Sequence, residues 1–523
     1  MPLGAVYTPA WLAGLVMRET LARAGDPVSM TVCDPTCGDG RFLLAAQEAG
    51  IPPERLYGVD RDAAAVAAAR AAVPGANLET GEALVGLDWE RAFPGTGGTF
   101  DLLVGNPPFV RIQDLRKHDP ALADGLAARY ESAAGNFDLY GPVLELALAR
   151  MRVAAGFVVP HRFFKTEYGR ALRDRLAPHV ALIADFGDRP VFGQDAQTYI
   201  CALVLVRRSR PHFVYSRAWG DGTDGSGEVP RAALTPAVWL PLLPDELRTY
   251  ERIAEGAVPL LGAPGSPAAR LFVGLQTPAN RVYRLEPLDD RGDELLVRSA
   301  AEPSPFRIER QVTRPLLMGA DIRAFRIADK GRMVLLPYRR GALLDLPAEA
   351  PLAAAYLRRH QAGPLAGAWW EWPYPKNLGA FEQPKLLVGG VAARGRYAYD
   401  ATGAYYVVGG GDGGYSLLPQ PGVDPWALLG LLSSAVMDYA LQRRSAMFAG
   451  RCYSYGRRFL HDLPIRLAAL TPALAELARE RASASGARAT DLDRELDRQV
   501  GEAYALTRSD WAAINRLVPA RKV

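Results

Sequence analysis

From about Met30 to Arg208 the chain alternates short apolar runs with segments of helical texture, which is the pattern of a mostly parallel α/β sheet. Met30-Thr31-Val32-Cys33, Leu56-Tyr57-Gly58-Val59 and Phe100-Asp101-Leu102-Leu103-Val104 read as buried strands. So do Gly156-Phe157-Val158-Val159-Pro160 and the run from Tyr199 to Leu205. Leu43-Leu44-Ala45-Ala46-Gln47-Glu48 follows a glycine turn as a helix. From Gly220 to Gly227 the chain is rich in Gly, Asp and Ser and reads as a loop. Beyond about Leu242 short β-like runs, Met333 to Leu336 and Ala404 to Val408, sit among Gly, Pro and aromatic residues. Helical patterns return from Trp426 to Leu441 and from Thr471 to Thr507. The expected fold is a Rossmann-like, doubly wound α/β sheet over residues 1–240, then a mixed α+β domain with C-terminal helices over 241–523.

Chemistry enters at the strand ends. The first strand runs into Asp34-Pro35-Thr36-Cys37-Gly38-Asp39-Gly40-Arg41-Phe42 and then the helix, a strand–turn–helix corner of the kind that binds nucleotides. Gly38 and Gly40 let backbone approach a ligand closely. Asp60 ends the second strand, where an acid holds ribose hydroxyls. The position of the third small residue in a dinucleotide fingerprint is Leu43, which argues against NAD. Asp34 places a carboxylate in the loop and suits a cationic amino-acid ligand better than a pyrophosphate. Glu82, after Gly81, reads either as a third acid near an adenine ring or as part of a solvated turn.

Asn106-Pro107-Pro108-Phe109 ends the Phe100–Val104 strand. A residue before proline is biased to extended backbone, and neither proline has an N–H. The turn therefore offers two acceptors, the Asn106 amide oxygen and the Pro107 carbonyl, with no adjacent proline donor to compete. Two converging acceptors suit a group with two N–H donors, such as an exocyclic amine on a base, and Phe109 gives a ring on which a base can stack. The plainer reading is a proline-rich turn after a strand.

Together the glycine loop, with Asp34, Cys37, Gly38, Gly40 and Phe42, and the Asn106–Phe109 turn resemble the amino-group DNA methyltransferases that use S-adenosylmethionine. Tyr7-Thr8-Pro9, ahead of the loop, is similar to the gamma class of adenine methyltransferases of restriction-modification type, in which that segment closes over the methionine end of the cofactor. The resemblance continues through Asn136-Phe137-Asp138-Leu139-Tyr140, read as a helix start, and Val191-Phe192-Gly193-Gln194-Asp195. It implies S-adenosylmethionine held by Tyr7, Thr8, Pro9, Asp34, Thr36, Gly38, Gly40, Phe42, Asp60, Glu82 and Asn106. It implies direct transfer to adenine N6 in duplex DNA, with Asn106, Pro107, Pro108 and Phe109 as the catalytic turn. The base would be flipped from the duplex and stacked on Phe109, with Phe192 opposite. Gly274-Leu275-Gln276-Thr277, Leu317 to Ile322, Glu382 to Val388 and Tyr453 to Ile465 resemble segments of the target-recognition domain of that class. Cytosine N4, RNA bases and the glutamine of release factors remain alternative targets, although serine is commoner than asparagine at the first position in cytosine enzymes. The non-enzymatic alternative is an inactive DNA-binding specificity subunit.

Composition adds limits. At 523 residues, 49% hydrophobic and 23% charged, the chain has the texture of a soluble protein of two to four domains. A net charge of only +4 means that any DNA-binding charge is local. Arg443, Arg444, Arg451, Arg457 and Arg458 occur with no acid between Asp438 and Asp462 and are candidate phosphate or guanine contacts; the alternative is a solvated face. Gly409 to Gly414 reads as a flexible turn that meets DNA, and Trp369-Trp370-Glu371-Trp372 as a local hydrophobic cluster in preference to a DNA contact. Cys33, Cys37, Cys201 and Cys452 form no disulfide or metal framework, so no metal is expected. No signal peptide is expected before Tyr7 and no apolar run reaches a membrane span. The expectation is a monomeric bacterial cytoplasmic protein that meets the nucleoid through DNA, with double-stranded DNA as partner and a separate restriction endonuclease as an open one.

Overall fold

The computed structural model describes residues 8–187, 189–192, 199–208, 210–217, 225–360, 367–410, 413–445 and 447–521. The chain forms two compact units, Met1–Leu247 and Arg248–Val523.

The first unit is built on a nine-stranded sheet. Its strands are β1 (Val32–Asp34), β2 (Leu56–Asp60), β3 (Asn77–Thr80), β4 (Phe100–Gly105), β5 (Met151–Pro160), β6 (Val180–Asp185), β7 (Ile200–Val206), β8 (His212–Arg217) and β9 (Gly225–Pro230). The spatial order is β3-β2-β1-β4-β5-β7-β6-β8-β9. Neighbours from β3 to β5 are parallel, while β7 runs antiparallel between β5 and β6, and β9 antiparallel to β8. The sheet is mostly parallel, as expected, with β6 also parallel to β8; the antiparallel β7 and β9 are the departures. A fully buried apolar strand such as β7 carries no sign of its direction, because both of its faces are covered either way. The sheet also extends past Arg208, and β9 occupies Gly225 onward, where the sequence reads as a loop; residues 220–224 of that loop lie outside the described residues.

Helix α1 (Ala10–Ala24) lies on the sheet, with Leu12, Ala13, Val16, Met17 and Thr20 buried. Its approach depends on Gly156 of β5, where a Cβ would fall 2.0 Å from the Thr20 hydroxyl. Helix α2 (Arg41–Glu48) follows the glycine loop, and α3 (Ala63–Ala72) follows β2. Asp62 starts α3 by accepting the Ala64 N–H at 2.9 Å. Strand order reverses between β1 and β4. The crevice outside their carboxyl ends is therefore a topological switch point, where ligands bind in open α/β sheets.

The second unit holds a six-stranded and a four-stranded sheet. The four-stranded sheet, Ala268–Val273, Gly414–Pro419, Lys385–Gly389 and Tyr397–Asp400, shares a core with C-terminal helices. The helical pattern from Trp426 to Leu441 is two helices, Pro425–Leu432 and Ala435–Arg444; the Ser434 hydroxyl accepts the Met437 N–H and restarts the second. The later pattern also divides, into Pro472–Ser483 and Gly486–Ala503, and is followed by Arg508–Leu517. Trp372 is buried and Trp369 and Trp370 pack on the same core, in keeping with a hydrophobic cluster. At the two ends of the Gly409–Gly414 turn, Gly409 donates to the Leu275 carbonyl and Gly414 to that of Val408; residues 411–412 lie outside the described residues. No described helix is long and apolar enough to cross a membrane.

Candidate functional site

The carboxyl ends of β1, β2 and β4 open on a cavity of about 700 Å³. Thr8, Asp34, Thr36, Gly38, Phe42, Asp60, Glu82, Asn106 and Pro108 all line it, so residues spread over a hundred positions of sequence meet at one place. Tyr7 lies outside the described residues. Pro9 caps the start of α1 and does not line the cavity. Neither does Gly40, whose left-handed backbone, φ 84°, begins α2. A Cβ at Gly40 would stand 3.0 Å from the Ala69 Cα of α3, so the glycine lets the two helices approach.

Asp34, 1% exposed, accepts the Thr36 N–H at 3.0 Å. Burial, the largest cause, pushes its carboxyl up to about 8, against the lowering effect of the Thr36 hydrogen bond. Asp60 accepts the Gly38 N–H and the Asp62 N–H, each at 2.9 Å, so one carboxylate braces the glycine loop and the start of α3. Glu82 accepts the Leu84 N–H at 3.2 Å, and burial raises its pKa. Acids thus stand at or just past the ends of three adjacent strands, the number of groups that an amino acid, a sugar diol and a base would each need.

Asn106 follows β4, and its side-chain N–H donates to the Thr8 hydroxyl at 3.0 Å. Thr8, 7% exposed, therefore holds the Asn106 amide at one end and leaves its oxygen as an acceptor. Pro107 is buried and does not line the cavity. Phe109 and Phe192 meet edge to face, centroids 6.2 Å apart and planes inclined by 64°. A planar base between two rings needs them parallel and about 7 Å apart, two van der Waals contacts, so these rings must part before they can hold one. The neighbouring 193–195 of that motif lie outside the described residues.

The structure adds lining residues that sequence reasoning missed. Helix Ile112–His118, straight after the Asn106–Phe109 turn, contributes Leu115 and His118, and Asp119 follows it. Arg61 donates to Asp119 at 3.3 Å and stands 3.9 Å from Glu82. Asp119-Pro120 is itself a helix-start signal, an N-cap acid before a first-turn proline. Cys37 also lines the cavity, its thiol pushed well up by burial.

The arginine group in the second unit divides. Arg443 is 4% exposed, its guanidinium 5.4 Å from the Tyr439 ring, which corrects its assignment to a DNA-facing surface: the helix Ala435–Arg444 turns it into the core. Arg444 donates to Asp462 at 2.9 Å. Arg451, Arg457 and Arg458 are exposed. Among the described residues the cysteines are free and no group of three or more His, Cys, Asp and Glu side chains is placed to hold a metal.

Residues 54–192 match the model of the Eco57I restriction-modification methylase family. The chain is 22% identical over 414 residues to the type II restriction enzyme and methyltransferase RM.Eco57I of Escherichia coli, covering 71% of this chain and 40% of that protein. It is 25% identical over 460 residues to the type II methyltransferase M.PaeR7I of Pseudomonas aeruginosa, covering 80% of this chain and 72% of that one. The chain thus spans well under two thirds of the Escherichia coli relative. A type IIL restriction-modification enzyme, MmeI, solved in complex with DNA, has a similar fold at 13% identity, with a TM-score of 0.61 over 97% of this chain and 75% of that one. The chain is similar to the methyltransferases of type II restriction-modification systems.

Proposed function

We propose that the protein transfers a methyl group from S-adenosylmethionine to the N6 amino group of adenine, flipped out of duplex DNA. The observation that carries this reading is the Asn106 amide, held by Thr8 in the wall of a cavity also lined by Asp34, Asp60 and Glu82. The donor set fits the cofactor: Asp34 suits an ammonium group, Asp60 a ribose diol and Glu82 the amine of an adenine ring. S-adenosylmethionine, when bound, supplies a methyl group on a positively charged sulfur. The exocyclic amine is a poor nucleophile because its lone pair is delocalised into the ring. Accepting its N–H hydrogens at the Asn106 amide oxygen, and at the Pro107 carbonyl once the entering base reaches that buried residue, favours a tetrahedral nitrogen and stabilises the positive charge that develops there. Phe109 and Phe192, once parted, bracket the base. The larger relatives with restriction activity in their names favour DNA as the substrate, and Asn106 at the first position of the turn favours adenine over cytosine.

Mass analysis of nucleosides from duplex DNA incubated with the protein and S-adenosylmethionine tests the reading. N6-methyladenine is expected. N4-methylcytosine, or no methylated nucleoside on any duplex, overturns it.

A further inference from the structure

A cluster of positive charge in the second unit lies outside everything described so far. The ribbon Ile322–Arg323/Arg326–Ile327 sets Arg323 directly opposite Arg326, and like charges opposed across an antiparallel pair repel. Arg396 stands close by, because the Phe325 N–H between the two arginines of the ribbon donates to the carbonyl of Tyr397, the residue after Arg396, at 2.7 Å. The Arg396 guanidinium donates to the Val391 carbonyl at 2.7 Å, while its Nε is buried with no hydrogen-bond partner among the described residues. Among those residues none of the three arginines forms an ion pair; Asp321 is paired with Arg332, Asp438 with Arg394 and Asp400 with Lys385, each at 2.7 Å, and Asp329 accepts the Gly331 N–H at 2.8 Å. Beside the cluster runs a three-stranded sheet of Val391–Ala392, Cys452–Ser454 and Met447–Phe448. This sheet exposes apolar surface, Val391 at 36% and Phe448 at 47%.

Guanidinium groups gathered without an acid cost stability unless an anion with several oxygens sits among them, and their planar forks match phosphate. The exposed apolar side chains beside them suit sugar and base faces, which a free phosphate lacks. We propose that Arg323, Arg326 and Arg396, flanked by Val391 and Phe448, form a surface that holds the sugar-phosphate backbone of duplex DNA. The inference rests on the reading of the chain as a DNA methyltransferase and names where that substrate is gripped.

Fluorescence anisotropy of the full chain with a labelled duplex, titrated at several salt concentrations, tests it. Each lost phosphate contact removes roughly 0.9 from the slope of log affinity against log salt, so the triple variant Arg323→Gln/Arg326→Gln/Arg396→Gln should lose about 2 to 3. The double variant Arg323→Gln/Arg326→Gln leaves the half-buried Arg396 in place and should lose about 2. Without DNA the double variant should melt no lower than the parent, since it removes a repulsion. A parent-like slope in both variants overturns the surface. So does inorganic phosphate raising the parent's melting temperature as far as the duplex does, which would make the cluster a site for free anions. A parent that binds duplex through these residues yet methylates nothing overturns the proposed activity and leaves the surface standing.

Discussion

Asp34 couples the charge of the cavity to pH. Its carboxyl keeps its proton in the folded protein up to about pH 8, whereas an unfolded Asp releases it near about 3.9. Between these values the native state binds more protons than the unfolded one, so this group's contribution to stability falls as pH rises from about 4 to about 8. A cationic group in the cavity draws the pKa down. Binding of S-adenosylmethionine should therefore release a proton near neutral pH and tighten as pH rises toward about 8. Calorimetry in buffers of different ionisation enthalpy measures both, and a pH-independent affinity with no proton release would remove the ammonium partner from Asp34. Thr8 makes a second prediction. Thr8→Val keeps the shape but loses the acceptor for the Asn106 amide, so kcat should fall ~10–100-fold by misorientation with little change in cofactor affinity. Unchanged kcat would mean that the Thr8 contact does not orient Asn106. At this scale most of the site is legible in the sequence, because Asp34, Asp60 and Asn106 each end an apolar run and strand ends converge at a switch point. Gly40 also meets Ala69 of α3, a neighbour that only the folded chain brings close.

The helices between the Asn106–Phe109 turn and β5 are where sequence reading ran out. Helix Pro120–Arg129 starts at Asp119, whose side chain accepts the Leu122 N–H at 3.1 Å and also meets Arg61. The two roles separate on substitution. Asp119→Ala should destabilise the protein by about 1 kcal/mol through loss of the cap. Asp119→Asn keeps a capping oxygen and loses only an exposed ion pair, worth at most about 1 kcal/mol and often much less, so it should melt close to the parent. Thermal melts compare them; equal losses in both would place the stability in the ion pair and not the cap. Boundaries inside the C-terminal helices failed for a related reason. A 3.6-residue apolar period runs on through Ser433-Ser434, and only the Ser434 hydroxyl bond to Met437 shows the break. Strand direction at β7 follows from pairing with β5 some fifty residues earlier, which local pattern does not encode.

For the whole molecule, the alternation of strands and helices before Arg208 was enough to expect an α/β sheet, and its cavity lies where such sheets bind ligands. The five-arginine segment shows the opposite case. Charge spacing along the chain cannot tell the buried Arg443 from the exposed Arg457, because helix phase and packing decide which way each side chain turns. The proposed account gives each part of the cavity a separate task, cofactor binding by the acids and activation of the amine by the Asn106 turn. The most direct test is methyl transfer from labelled S-adenosylmethionine to duplex DNA by the parent and by Asn106→Ala, with cofactor affinity measured on both by calorimetry. The account predicts largely intact cofactor affinity and a rate lower by ~10²–10³, the usual cost of removing one positioned electrostatic partner. Transfer by Asn106→Ala within about tenfold of the parent, or a parallel loss of cofactor binding, would contradict it.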